Sequence, residues 1–102
     1  MTSHIAQTIL HQLGGTHFIF MTGATDITSD EHALSFKLPR NAFNTDHINF
    51  VRITLNNDEY DIDFERWNWT TARQISARRV TGVGADRLRE TFTDHTGLHL
   101  SV

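Results

Sequence analysis

From Ile5 to Leu13 the apolar residues Ile5, Ala6, Ile9, Leu10 and Leu13 recur at helical spacing, while Gln7, Thr8, His11 and Gln12 lie off that face. Ser3 stands where it can cap the first turn, and Gly14-Gly15 ends the helix, because glycine takes the left-handed C-cap geometry without a Cβ penalty. The period then changes. Between His17 and Met21, Phe18 and Phe20 alternate with Ile19 and Met21, which predicts a short strand buried on both faces and placed centrally in a sheet. Thr22-Gly23-Ala24 interrupts it, and Asp26 to Glu31 reads as a turn or an irregular edge. Leu34, Phe36 and Leu38 alternate with Ser35 and Lys37, a half-buried strand that Pro39 ends because it has no backbone donor.

After a polar loop over Asn41 to Asp46, Val51, Ile53 and Leu55 point one way and Arg52 and Thr54 the other. Ile48 and Phe50 are out of phase with them, which predicts a bulge. Asn56-Asn57-Asp58-Glu59 has the composition of a hairpin loop, and the return strand carries Tyr60, Ile62 and Phe64 inward and Asp61, Asp63 and Glu65 outward. A further slip of phase at Arg66 predicts a turn near Asn68 and a last strand from Thr71 to Val80. Ala85, Leu88 and Phe92 make a narrow stripe for a C-terminal helix from Ala85 to His95, terminated by Gly97. The expected fold class is α+β: an N-terminal helix, a four- to five-stranded mostly antiparallel sheet and a C-terminal helix, both helices burying their stripes on the sheet.

Composition narrows the possibilities. A chain of 102 residues forms a single domain with one core, too small for a dinucleotide-binding fold. The absence of cysteine removes disulfides, thiolate zinc sites and cysteine nucleophiles together. No apolar window is long enough to span a bilayer and no secretory leader is present, so the expectation is a cytoplasmic address without membrane association. The net charge of -3 gives a weak overall field, so any nucleic-acid role rests on a local patch. Charge is distributed unevenly: through Glu65, nine acids face Lys37, Arg40 and Arg52, whereas beyond it six arginines face three acids.

The segments Gly14-Gly15-Thr16-His17-Phe18-Ile19-Phe20-Met21-Thr22-Gly23-Ala24, Phe36-Lys37-Leu38-Pro39, Ile53-Thr54-Leu55-Asn56 and Tyr60-Asp61-Ile62-Asp63-Phe64 come in this order. With Gly84-Ala85-Asp86, Leu88, Phe92 and Thr96-Gly97-Leu98 they resemble a family of small uncharacterised proteins encoded by bacteriophages and prophages. The resemblance covers Gly14 to Leu98 and rests on structural punctuation, so it implies a phage-type origin and a bacterial host cell rather than a chemistry. The chain departs from the pattern at Thr25-Asp26, where a basic residue is common, and at Trp67 and Trp69, where smaller residues are.

Candidate chemistry is sparse. The seven histidines are dispersed, and the close pair His95 and His99 straddles Gly97, which breaks the helix that would align them, so no metal site is expected. Asp58, Glu59, Asp61, Asp63 and Glu65 match no calcium loop and read as a solvated, edge-protecting face. There is no nucleophile elbow, and Gly82-Val83-Gly84 lacks the lysine and third glycine of a phosphate loop, so no catalytic residue and no cofactor are assigned. What remains is a binding patch: Arg66, Trp67, Trp69, Arg73, Arg78 and Arg79. Tryptophan and arginine are the usual energetic anchors of protein interfaces, and they equally suit base stacking and phosphate pairing on single-stranded nucleic acid. The plain alternative is that the tryptophans cap the core and the arginines are solvated. The weak negative charge tips the expectation to a non-enzymatic protein-binding module that modulates or inhibits a host nucleic-acid-processing or defence complex. In that reading the acids of Asp58 to Glu65 form a second, negative face. Single-stranded nucleic acid is the alternative partner, and a homodimer through an exposed strand is a further expectation.

Overall fold

Helix α1 (His4–Leu13) and helix α2 (Thr16–Thr22) precede five strands, β1 (Thr25–Ser29), β2 (Ala33–Lys37), β3 (Phe50–Asn56), β4 (Glu59–Asn68) and β5 (Arg73–Val83). A 3-10 turn, Ala85–Arg87, leads into the last helix, α3 (Leu88–Thr96). The computed structural model describes residues 4–39 and 47–98. The Ser3 cap, the loop expected over Asn41 to Asp46 and His99 lie outside the described residues. The strands form an antiparallel meander in the order β1-β2-β3-β4-β5, so the α+β class holds with five strands and an additional helix.

The alternation of apolar and polar residues becomes two differently built sheet faces. The rungs Leu34–Ile53–Ile62–Val80 and Phe36–Val51–Phe64–Arg78 face inward. Their apolar members join Ala6, Ile9 and Leu13 of α1, Phe18 of α2 and Leu88 and Phe92 of α3 in one core. At its centre Phe18 meets Phe36 and Phe92 edge-on at 5.2 and 5.4 Å, the geometry that the ring quadrupole favours. The outward rungs Ser35–Arg52–Asp63–Arg79 and Lys37–Phe50–Glu65–Ala77 carry no helix and form the polar face.

Two expectations are corrected, at α2 and at Arg66, and two are located more closely. The segment around Phe18 is a helix, not a central strand: Phe18 and Thr22, one turn apart, are buried, whereas Phe20 is 81% exposed. A short apolar run fits either period, and the Gly14-Gly15 turn lets a second helix start at Thr16 and set Phe18 against Phe36 and Phe92. Asp26 to Glu31 takes the second of its two expected forms, the irregular edge: its first four residues lie in edge strand β1, whose pairing slips between Thr25 and Thr28 beside Asp26 at φ 52°. β3 has no bulge between Phe50 and Asn56; the phase change falls just before it, where the Asn49 N–H bonds to the carbonyl of Glu65, the residue paired with Phe50, and Ile48 is buried. Nor does β4 slip at Arg66. It runs straight to Asn68, and the irregularities fall on β5, which is longer by a residue at Ile75 and again near Gly82.

The helix ends show one device used twice. Phe18-x-x-x-Thr22-Gly23-Ala24 and Phe92-x-x-x-Thr96-Gly97-Leu98 both place a buried threonine whose hydroxyl donates to the phenylalanine carbonyl, at 2.8 Å in each case. The same oxygen accepts the N–H of Ala24 or Leu98 at 3.2 Å. The glycines, at φ 69° and 74°, make the left-handed turn between them. The threonine therefore satisfies backbone groups left over at the helix end, in a place water does not reach.

Candidate functional site

The tryptophan pair is fixed by a side chain that acts as an extra length of strand. Just before β3, Asn49 donates its Nδ2–H to the Trp67 carbonyl and accepts the Trp67 N–H on Oδ1, each at 2.8 Å. This prolongs the β3–β4 ladder and orients Trp67 on the outer face, where its Nε1–H donates to Glu65 at 2.6 Å. The Asn68 carboxamide then accepts the N–H groups of Thr70 and Thr71, and Ala72 at φ 56° completes the turn into β5. That turn brings Trp69 parallel to Trp67, with centroids 5.6 Å apart and planes 2° from parallel. Phe50 meets Trp69 edge-on at 6.2 Å, and the Lys37 ammonium lies 4.4 Å from the Trp69 centroid.

Two members of the predicted patch are thus brought together, and the arginines are divided. Arg79 shares the outer face and pairs with Asp63 at 3.2 Å. Arg78 lies on the inner face, its guanidinium 3.1 Å from Nδ1 of His95, whose ring stacks on Phe64 at 4.9 Å. Arg66 also has inner-face phase beyond Phe64, and Arg73 opens β5 at the far side of the turn. Sequence reasoning missed Lys37, Asn49, Phe50 and Ile75. The first and third follow once strand register is known, since Lys37, Phe50 and Glu65 form one outer rung.

The acidic residues divide in the same way. Asp61, Asp63 and Glu65 do face outward, each engaged locally: Asp61 with Asn56, Asp63 with Arg79 and Glu65 with Trp67. Asp58 is a turn residue at φ 65°, and Glu59 is exposed beside it. Further along the face, the carboxylate of Asp30 accepts the His32 N–H and pairs with Arg52, and these partners hold its pKa below the ordinary Asp value. On the inner side Tyr60 donates to Gln12 at 2.7 Å, and burial pushes its phenol above the usual range.

Trp67, Trp69 and Ile75 line a cavity of about 620 Å³ with Pro39, Ile48 and Arg66 around it. Trp69 is 44% and Ile75 54% exposed, so large apolar side chains here line one cavity and also meet solvent, whereas exposed Phe20 and Ile27 lie outside it. Comparisons with protein families, curated proteins and solved structures gave no match. Among the described residues no three histidine or acidic side chains converge as metal ligands, and no helix is long and apolar enough to cross a membrane. The arrangement offers a stacked indole pair, an open apolar lip at Ile75 and a half-buried arginine, Arg66, beside them.

Proposed function

We propose that this chain is a non-enzymatic binding module that captures a partner protein at the β4–β5 end of its sheet. The observation that carries this reading is the cavity in which exposed Trp69 and Ile75 sit against Trp67 and beside Arg66. A pocket walled by aromatic side chains and arginine is what a partner's apolar anchor residue fits, and truncation of such residues dominates measured interface energies. Exposed apolar groups rimmed by polar ones point the same way.

Several observations favour a protein over single-stranded nucleic acid. The indoles stack on each other and Trp69 carries Lys37 over its ring, so they do not form a row of open platforms for successive bases. Arg79 and Arg52 are matched by Asp63 and Asp30, so the outer face alternates in sign where a phosphate backbone needs a positive track. Together with the resemblance to phage proteins, these features make a bacterial protein the partner we propose, with modulation of a host complex as the role. The test is affinity capture from bacterial lysate, split into nuclease-treated and untreated halves, with wild type beside Trp69→Ala and Ile75→Asp. A protein retained in both halves by wild type and lost by both folded variants supports the reading. Capture that vanishes with nuclease transfers the site to nucleic acid.

A further inference from the structure

β5 closes the sheet on one side, and among the described residues no strand pairs with its outer edge. Every residue from Arg73 to Arg79 is exposed, as are Thr81 and Gly82, in a strand that runs from Arg73 to Val83. The opposite edge is unlike it. β1 is only five residues long and slips in register, and Lys37 bridges it through Asp26 at 3.4 Å. A long open edge presents unpaired N–H and C=O groups, a template that another extended chain completes by backbone hydrogen bonding.

The groups that face outward follow from the ladder. The Leu55 N–H bonds across to the His32 carbonyl of the β2 side, which turns the N–H groups of Phe50, Arg52 and Thr54 toward β4. Carrying that alternation through the pairs Arg52–Asp63 and Phe64–Arg78 turns the backbone of Arg78 toward β4 and that of Ala77 and Arg79 toward the free edge.

Charge selects the occupant. Between Arg73 and Val83 the strand carries three arginines and no acid; Arg79 pairs with Asp63 of β4, and Arg73 and Arg78 add positive charge that no acid of β5 offsets. A second copy paired edge to edge would bring three arginines from each chain to one seam, and like charges across paired strands oppose association. An extended segment rich in Asp or Glu meets the opposite situation. We propose that the free edge of β5 takes up an acidic, extended partner segment as a sixth strand, bonded to the backbone of Ala77 and Arg79. This rests on the protein-binding reading above and names the partner's local chemistry and conformation.

The probe is a fluorescently labelled peptide of about ten residues alternating Glu and Val, long enough to span a strand, with a Lys-Val peptide as its counterpart. Saturable binding of the Glu-Val peptide is expected, at least about tenfold tighter than the Lys-Val one and weakened by salt. Ala77→Pro removes an outward N–H without touching the bonds to β4, and should abolish binding while the protein still melts cooperatively. On the wild type, amide hydrogen exchange should slow at Ala77 and Arg79 when the peptide is added and stay unchanged at Arg78. That readout stands whether or not the proline variant folds. The proposal is overturned by equal binding of the two peptides, by no saturable binding, or by protection that misses Ala77 and Arg79. A wild-type dimer that Ala77→Pro converts to monomer would also overturn it, assigning the edge to a second copy. If Trp69-dependent capture from lysate persists while the peptide fails, the strand-addition proposal falls and the binding module stands.

Discussion

Single side chains here do the work of backbone. Asn49 replaces one missing rung of the β3–β4 ladder with its carboxamide, and the tryptophan pair depends on that rung. Asn49→Ala removes both bonds to Trp67 from a half-buried site, so a loss of about 1 to 3 kcal/mol is expected. That corresponds to a fall in Tm of roughly 4 to 8 °C per kcal/mol in a domain of this size. Asn49→Asp keeps one acceptor but no donor and should recover only part of it, as thermal melts will show. Two other residues contribute to the pH dependence of stability. Because Asp30 has a lowered pKa when folded, its contribution is complete above its unfolded value and is lost as pH falls through the folded one, below about pH 4. Asp30→Asn should therefore flatten the acid limb of a stability profile. Tyr60 has the opposite sign. Its raised pKa contributes below about pH 10 and is lost as the solution becomes more alkaline, so Tyr60→Phe should flatten the alkaline limb. A profile unchanged at either limb in the matching variant would remove that residue from the account.

At the scale of elements, the paired threonine caps explain how α2 and α3 end where they do. Thr22 is 3% and Thr96 2% exposed, so replacing either hydroxyl with a methyl leaves the N–H of Ala24 or Leu98 without its partner. Thr96→Val, which preserves shape, should cost about 1 to 3 kcal/mol in chemical denaturation. Thr96→Ser should restore most of it; equal losses in the two variants would mean that the methyl packing, not the hydroxyl, is what matters. The same elements show what a sequence can disclose. β2, β3 and β4 were legible because one face is buried, and the Asn57-Asp58 hairpin was legible from composition; both residues adopt positive φ, at 52° and 65°. α2 was not, because Phe18 to Met21 satisfies strand and helix periods alike and only docking against Phe36 and Phe92 decides between them. The candidate site was half legible. Trp67 and Trp69 announce themselves by type and proximity, whereas Phe50, Lys37 and Ile75 become neighbours through register and an extra residue in β5, neither of which composition encodes. The arginines failed as a single patch for the same reason, since adjacent strand residues Arg78 and Arg79 must face opposite ways.

For the molecule as a whole, the open question is whether the tryptophan end of the sheet belongs to the same cooperative unit as the core. Trp67 and Trp69 lie on the outer face, yet the strand that carries Trp67 places Tyr60, Ile62 and Phe64 in the core on its other side. Phe64 in turn joins Phe92, and through it Phe36 and Phe18, so the aromatic core ties α2 and α3 to the sheet. Separating the Trp end would require β4 to leave its ladder while still holding those side chains. We therefore expect indole fluorescence, which comes only from Trp67 and Trp69, to melt at the same denaturant midpoint as far-UV circular dichroism. Phe92→Ala should shift both midpoints together by about 3 to 5 kcal/mol, a large share of the 5 to 15 kcal/mol available to a small domain. Phe50→Ala, on the outer face, should instead change the fluorescence spectrum with a smaller shift in either midpoint. An indole transition that precedes the circular dichroism transition would mean that the binding end frays independently of the core. In that case a partner would bind with an ordering cost, and Phe92→Ala would weaken the core while leaving the early transition in place.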